Sequence, residues 1–262
     1  MGYTRSLAYP WALTGIFAAV HLVITLIPFT IAIGGSGEIS FGLVSAPMVG
    51  FLVGPFFGVL AVIIGSLIAM FINPSIAILG LFTVIATAAG AFAAGAMRTK
   101  IRVAIPLLFL VSMGMFLISP IGPIIPEFIL FHFIIFLLSL LFIVPGIGTK
   151  LIEPLRLDRN FNRASGLVSL WLLSIVAVAL DNVVGSAIGV YYFSIAFGMD
   201  PTTLAGLFAL GIPVIPLERL FGSIVVGAIL VGLAEALART NFGLPLSRIG
   251  KYELFELGED EI

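Results

Sequence analysis

The sequence predicts an all-α, polytopic membrane protein, a bundle of about eight transmembrane helices, on three observations. The chain of 262 residues is 61% hydrophobic and only 10% charged, with a mean hydropathy of +1.27, whereas a soluble domain carries about 25% charged residues. Its apolar runs are long and continuous, without the alternation of apolar and polar positions that marks barrel strands. Inside a bilayer, moreover, every backbone N–H and C=O needs a partner within its own segment, which a helix supplies.

About 20 apolar residues cross the hydrocarbon core once as a helix, and candidate spans run over 11–33, 41–53, 56–72, 76–97, 103–119, 128–145, 165–188 and 217–238. The first follows a single cation, Arg5, and is too long for the roughly 7–15-residue core of a signal peptide, so it is expected to be retained. The stretch Phe41 to Pro74 is apolar throughout but is broken by Gly54, Pro55 and Gly58. A Gly-Pro break ends a helix, so this stretch reads as two helices joined by a tight reversal. The apolar piece 203–214 is short and bracketed by Pro201 and Pro213; it reads as a re-entrant or interfacial turn.

Orientation follows from the cations, because short cytoplasmic loops are enriched in Lys and Arg. Arg98, Lys100 and Arg102 fill one loop, Lys150, Arg156, Arg159 and Arg163 a second, and Arg239, Arg248 and Lys251 follow the last span. With these groups inside and the loop 34–40 outside, parity demands three crossings between Phe41 and Met97. Charge placement thus splits the broken stretch in two independently of its glycines. Both termini come out cytoplasmic, in a multi-pass protein of the cell membrane. Residues 1–262 form one membrane domain, with a solvated acidic tail over 240–262.

Polar side chains within membrane helices are costly, so their depth is informative. Asp181 and Asn182 lie about 16 residues into a helix that starts inside at Ser165, hence about 24 Å up, in the outer third. Glu218 and Arg219 open the last span from the outside, Glu38 sits in the outer GGSGE loop, Asn73 ends the third span, and Glu127 and His132 open the sixth. Asp181, Asn182, Arg219, Glu218, Glu38 and Asn73 are therefore the candidate ligand-binding residues, with Asp181, Asn182 and Arg219 in polar recognition and Glu38 in a gating loop. The competing readings are structural: an interhelical hydrogen bond for Asp181 with Asn182, an ion pair for Glu218 or Arg219, an ordinary loop glutamate for Glu38. His21, near the centre of the first span, reads as a hydrogen-bonded packing residue. Glu235 stands one turn from Arg239 and is placed to pair with it. Tyr191, Tyr192 and Phe193 read as an interfacial aromatic belt.

Several chemistries are missing. There is no HExxH, GxSxG or P-loop signature, and zero cysteines exclude disulfides, thiolate metal sites and cysteine nucleophiles. No enzyme activity, metal or cofactor is expected, and no basic patch suggests nucleic acid. Without a nucleotide site the chain cannot spend ATP alone. It is passive, ion-coupled or one part of a larger machine.

Read together, Ile27 to Pro74 (IPFTIAIGGSGEISFGLVSAPMVGFLVGPFFGVLAVIIGSLIAMFINP) resembles the substrate-binding (S) membrane component of energy-coupling factor transporters. Pro28 near the end of the first helix, the GGSGE loop, the glycine-rich run from Gly42 to Gly50, and Gly54, Pro55 and Gly58 carry the match. The likeness covers 1–100 and departs from the family in length, typical members having six helices, so 103–145 reads as an inserted hairpin. The resemblance implies capture of a vitamin or other small micronutrient from outside, with a transmembrane coupling protein and cytoplasmic ATPases as partners. It also implies that the small-residue face of the first helix, Ala8, Ala12, Gly15 and Ala19, is the subunit-docking surface. Two rivals stand beside this expectation: a stand-alone ion-coupled secondary transporter or channel, in which Asp181 carries the ion, and a non-transporting membrane scaffold with a dry, filled interior.

Overall fold

The computed structural model describes residues 4–6, 8–27, 40–156, 163–238, 244–247 and 250–251. They form an all-α bundle whose larger helices are α1 (Ala8–Thr25), α2 (Gly42–Val53), α3 (Phe57–Ile72), α4 (Thr83–Ala96), α5 (Ala104–Leu117) and α6 (Leu130–Leu140). A short α7 (Ile147–Ile152) precedes two long helices, α8 (Arg163–Ala196) and α9 (Pro201–Ala238). Two-residue strands β1 (Thr4–Arg5) and β2 (Gly250–Lys251) pair antiparallel, so the two ends of the described chain lie side by side.

Four segments, Ala8–Thr25, Lys100–Leu117, Arg163–Ala196 and Pro201–Ala238, are long and apolar enough to cross a membrane, and four shorter apolar helices lie among them. The exterior is correspondingly apolar: Phe71, Ile118 and Ile195 are each at least 80% exposed. In water such a surface would be a liability, whereas hydrocarbon costs it nothing. The inside is α2 and α8. All residues from Leu173 to Leu180 are buried, as is nearly all of α2, and a helix that is apolar on every side belongs at the centre of its bundle.

What brings these helices so close is the absence of β-carbons. A β-carbon at Gly50 would overlap the carbonyl oxygen of Ala91, so α2 lies directly on the backbone of α4. At Gly58 it would stand 2.9 Å from the Cα of Gly50, and at Gly95 2.6 Å from the backbone nitrogen of Pro55. The reversal between α2 and α3 is made by Gly54 at φ 100°, a conformation that side-chain-bearing residues seldom adopt. The expected tight turn at Gly54–Pro55 is therefore present, and its glycines serve packing. Gly65 does the same for α1 and α3, 2.6 Å from the oxygen of Ala18. Beside it His21 is fully buried between Ser45 at 2.7 Å and Ser66 at 2.9 Å, as a packing histidine should be.

Two expectations need correction. Residues 203–214 are no turn: they belong to the continuous α9, which carries Pro213 and Pro216 inside it. Each proline removes one backbone donor, but in apolar surroundings the chain has no better partner for its remaining groups than the helix itself. Asp200 starts that helix, accepting from the backbone N–H of Thr203 at 3.0 Å and of Thr202 at 3.1 Å, with Pro201 at the first helical position. The hydrogen bonds from Thr203, then Thr202, hold its carboxyl below the ordinary range. Second, Glu235 does not wait on Arg239, which lies outside the described residues; its carboxylate meets Nε of Arg163 at 3.0 Å, joining the start of α8 to the end of α9.

Replacing Gly50 with alanine should therefore cost about 3 kcal/mol or more, since the clash is with backbone and cannot be relieved by a rotamer. Gly232→Ala, where a β-carbon would meet nothing within 4 Å, should be neutral or stabilising by about 0.5–1 kcal/mol. Thermal unfolding of the two variants in detergent checks the pair.

Candidate functional site

The bundle holds a cavity of about 260 Å³ at the end away from the paired strands. Its walls come from the start of α2 (Ser40, Leu43), the segment between α3 and α4 (Ile76, Leu79), the first turns of α4 (Thr83, Thr87), one face of α8, and α9 (Phe208, Arg219). The α8 face is built by spacing alone: Gly185, Ser186, Gly189 and Phe193 follow Asn182 by three, four, seven and eleven residues, one stripe of the helix. Small residues on that stripe leave the volume open.

Asp181 borders the cavity where α8 meets α4, and Gly90 of α4 permits the approach: a β-carbon there would lie 3.2 Å from Cβ of Asp181 and 3.3 Å from the oxygen of Ala177. Its neighbour Asn182 turns toward α6, where Oδ1 lies 2.8 Å from Nε2 of His132. Arg219 reaches the cavity from α9 with its side chain only 8% exposed. Its Nη2 stands 3.5 Å from Oε1 of Glu218, whose side chain is 4% exposed; this is an ion pair that falls short of hydrogen-bond geometry, because Glu218 Oε1 and Arg219 Nε both stay without a hydrogen-bond partner among the described residues. Adjacent residues on a helix point in different directions. Arg219 accordingly faces the cavity, and Glu218 braces it from behind.

Of the sequence-predicted ligand residues, then, Asp181, Asn182 and Arg219 come together on one cavity and Glu218 stands next to it. Asn73 does not line it. Its Oδ1 accepts from the Ser75 backbone at 3.2 Å and the Ser75 hydroxyl at 2.7 Å, capping the turn after α3. Glu38 lies outside the described residues. The small-residue face of α1 is exposed at Ala8, Ala12, Gly15 and Ala19, and nothing lies within 4 Å of a β-carbon at Gly15.

Other cavity residues were missed. Thr83 and Thr87 are spaced one turn apart on α4; the Thr83 hydroxyl accepts from the Leu79 backbone at 3.0 Å and that of Thr87 donates to the Thr83 carbonyl at 3.1 Å. Phe193 lines the cavity whereas Tyr191 and Tyr192 do not. Tyr191 donates to the Met115 carbonyl at 2.9 Å. Phe208 closes the wall, held in turn by Phe128 at 5.3 Å and Phe116 at 5.9 Å between centroids. The α5–α6 hairpin thus supports the site from two sides, through His132 and through this aromatic cluster. The polar and small stripe after Asp181 was the available signal for the α8 wall; no local pattern marks Phe208.

No protein family, curated protein or solved structure matches the chain.

The ion pair makes a sharp stability test. Arg219→Met leaves Glu218 buried and unpaired and should cost about 3–5 kcal/mol, while Glu218→Leu with Arg219→Met should recover most of that loss. Unfolding in detergent reads the difference; a double variant less stable than the single would sink the assignment of Glu218 as the brace of Arg219.

Proposed function

We propose that this chain is the solute-binding membrane component of an importer of the energy-coupling factor type, capturing a small micronutrient in the cavity between α4, α8 and α9. The single observation that carries the reading is that cavity: polar at Asp181, Asn182 and Arg219, apolar at Leu79, Phe193 and Phe208, and walled by helices of a membrane-embedded bundle. Binding sites for small molecules combine an apolar lining with a few convergent polar groups in this way. A scaffold would have no use for it.

In this reading the eight apolar helices, α7 apart, each cross the bilayer, both termini are cytoplasmic and the cavity opens to the outside. The alternation fits the cation-rich loops, and the pairing of β1 with β2 puts both described ends on one side. The exposed small-residue stripe of α1 is then the face offered to a transmembrane coupling protein, with cytoplasmic ATPases supplying the energy that this chain has no nucleotide site to use. A second reading, an ion-coupled transporter working alone, draws on Asp181, an ionisable group on a cavity wall within a membrane helix. The two share the cavity and differ in what drives transport.

Mass spectrometry of small molecules released from the purified protein tests the binding role. A β-carbon at Gly189 would point at Leu79 and Phe208, 3.3 and 3.6 Å away, so Gly189→Leu fills the cavity. A molecule retained by the native chain and absent from Gly189→Leu is the expected outcome, and equal retention by both would remove the cavity from consideration. Uptake by liposomes containing this chain alone under an ion gradient would select the second reading.

A further inference from the structure

The charges around the cavity do not balance, and the imbalance names the chemistry of its occupant. Asp181 and Glu218 are two carboxylates set against the single guanidinium of Arg219. Glu218 already stands 3.5 Å from that guanidinium, buried behind it, whereas Asp181 is on the cavity wall with Arg219 and Glu218 as the charged groups that act on it. His132, behind Asn182, is 1% exposed, and its Nε2 lies 2.8 Å from Oδ1 of Asn182. Counted in their ionised forms, the two carboxylates and one guanidinium leave one net negative charge in a place that water leaves when a ligand enters. An uncompensated charge in such surroundings is costly, and a cation supplied by the ligand removes the cost.

The remaining walls describe the rest of the molecule. Arg219 lines the cavity with a side chain over nine-tenths buried, so a polar group on the ligand can meet its guanidinium. Phe193 and Phe208 converge with Leu79 over Gly189, giving an apolar compartment whose ring faces also favour a nearby cation. An engineered cavity of about 150 Å³ accepts benzene, so 260 Å³ suits one ring with a short arm.

We propose that the cavity takes a small organic monocation, its ammonium-type group on Asp181 and its apolar body between Leu79, Phe193 and Phe208. This rests on the reading of the cavity as a solute site. It excludes anions and disfavours zwitterions, whose carboxylate would restore the uncompensated charge.

Four probes of one shape and different charge decide the matter: phenethylamine, phenylalanine, phenethyl alcohol and hydrocinnamate, titrated by calorimetry and thermal shift into the washed full-length protein in detergent. Phenethylamine should bind at least about tenfold more tightly than the other three, and Asp181→Asn should lose about tenfold or more of that affinity while keeping its unliganded Tm. Asp181→Glu, which keeps the charge, should retain the preference. If hydrocinnamate, phenylalanine or phenethyl alcohol binds as well as the amine, and Gly189→Leu abolishes that binding, the cation is wrong and the solute site stands. If none of the four binds at up to about 10 mM and no copurifying molecule is lost in Gly189→Leu, both readings fall. Should Asp181→Asn not fold, the ranking of the four probes on the native chain still decides.

Discussion

Everything in this bundle depends on one place where a side chain would not fit. At Gly50 the backbone of α2 rests on the carbonyl of Ala91 in α4, and from that contact the arrangement spreads outward in a chain of similar approaches. Gly58 lets the start of α3 pass α2, Gly95 admits the Gly54–Pro55 reversal, and Gly90 lets α8 come up to α4. Lipid tails are as apolar as the helix surfaces, so the hydrophobic effect does little to hold membrane helices together; close backbone approach and the dispersion contacts it brings do that instead. Glycine is here the binding residue of the fold. Its usual liability, freedom in the unfolded chain, matters less in a helix the membrane already enforces.

The same packing sets the site. Asp181 stands on the cavity wall because Gly90 has no side chain to push α8 away, and the cavity stays open because Gly185, Ser186 and Gly189 put little into it. Polar groups are then fixed from behind: Asn182 by His132 on α6, Arg219 by Glu218 on its own helix. A buried ion pair of this kind gives little net stability, but breaking one half of it is expensive. Its effect is to keep a guanidinium extended toward a space that would otherwise not hold it.

Much of this was legible in the sequence. Hydropathy gave the class, the Gly-Pro break gave the α2–α3 reversal, and the rarity of Asp181, Asn182 and Arg219 in apolar helices singled out three residues that share one cavity. What could not be read has a common cause: it depends on which helix stands next to which. Glu235 had a correctly spaced partner in sequence, yet Arg163 on α8 meets it. Phe208 sits in an unremarkable apolar run and enters the site only because α9 continues past Pro213 and Pro216 as one helix. Asn73, polar and at the right depth, is consumed by the turn it caps. Depth along a helix can be counted from residue numbers; azimuth around the bundle cannot.

The segment after α9 folds back onto the end of α2. The Leu246 N–H donates to the Leu52 carbonyl at 2.8 Å, and the Ser247 hydroxyl donates to that of Val53, so both final carbonyls of α2 are met by residues after α9. During synthesis those carbonyls exist long before their partners do. The reversal that pins α2 to α3 is therefore made early and completed last, and closing so long a loop carries an entropic cost that only the assembled bundle offsets. Until Leu246 and Ser247 have been made and have reached α2, the most tightly packed corner of the fold remains unlatched.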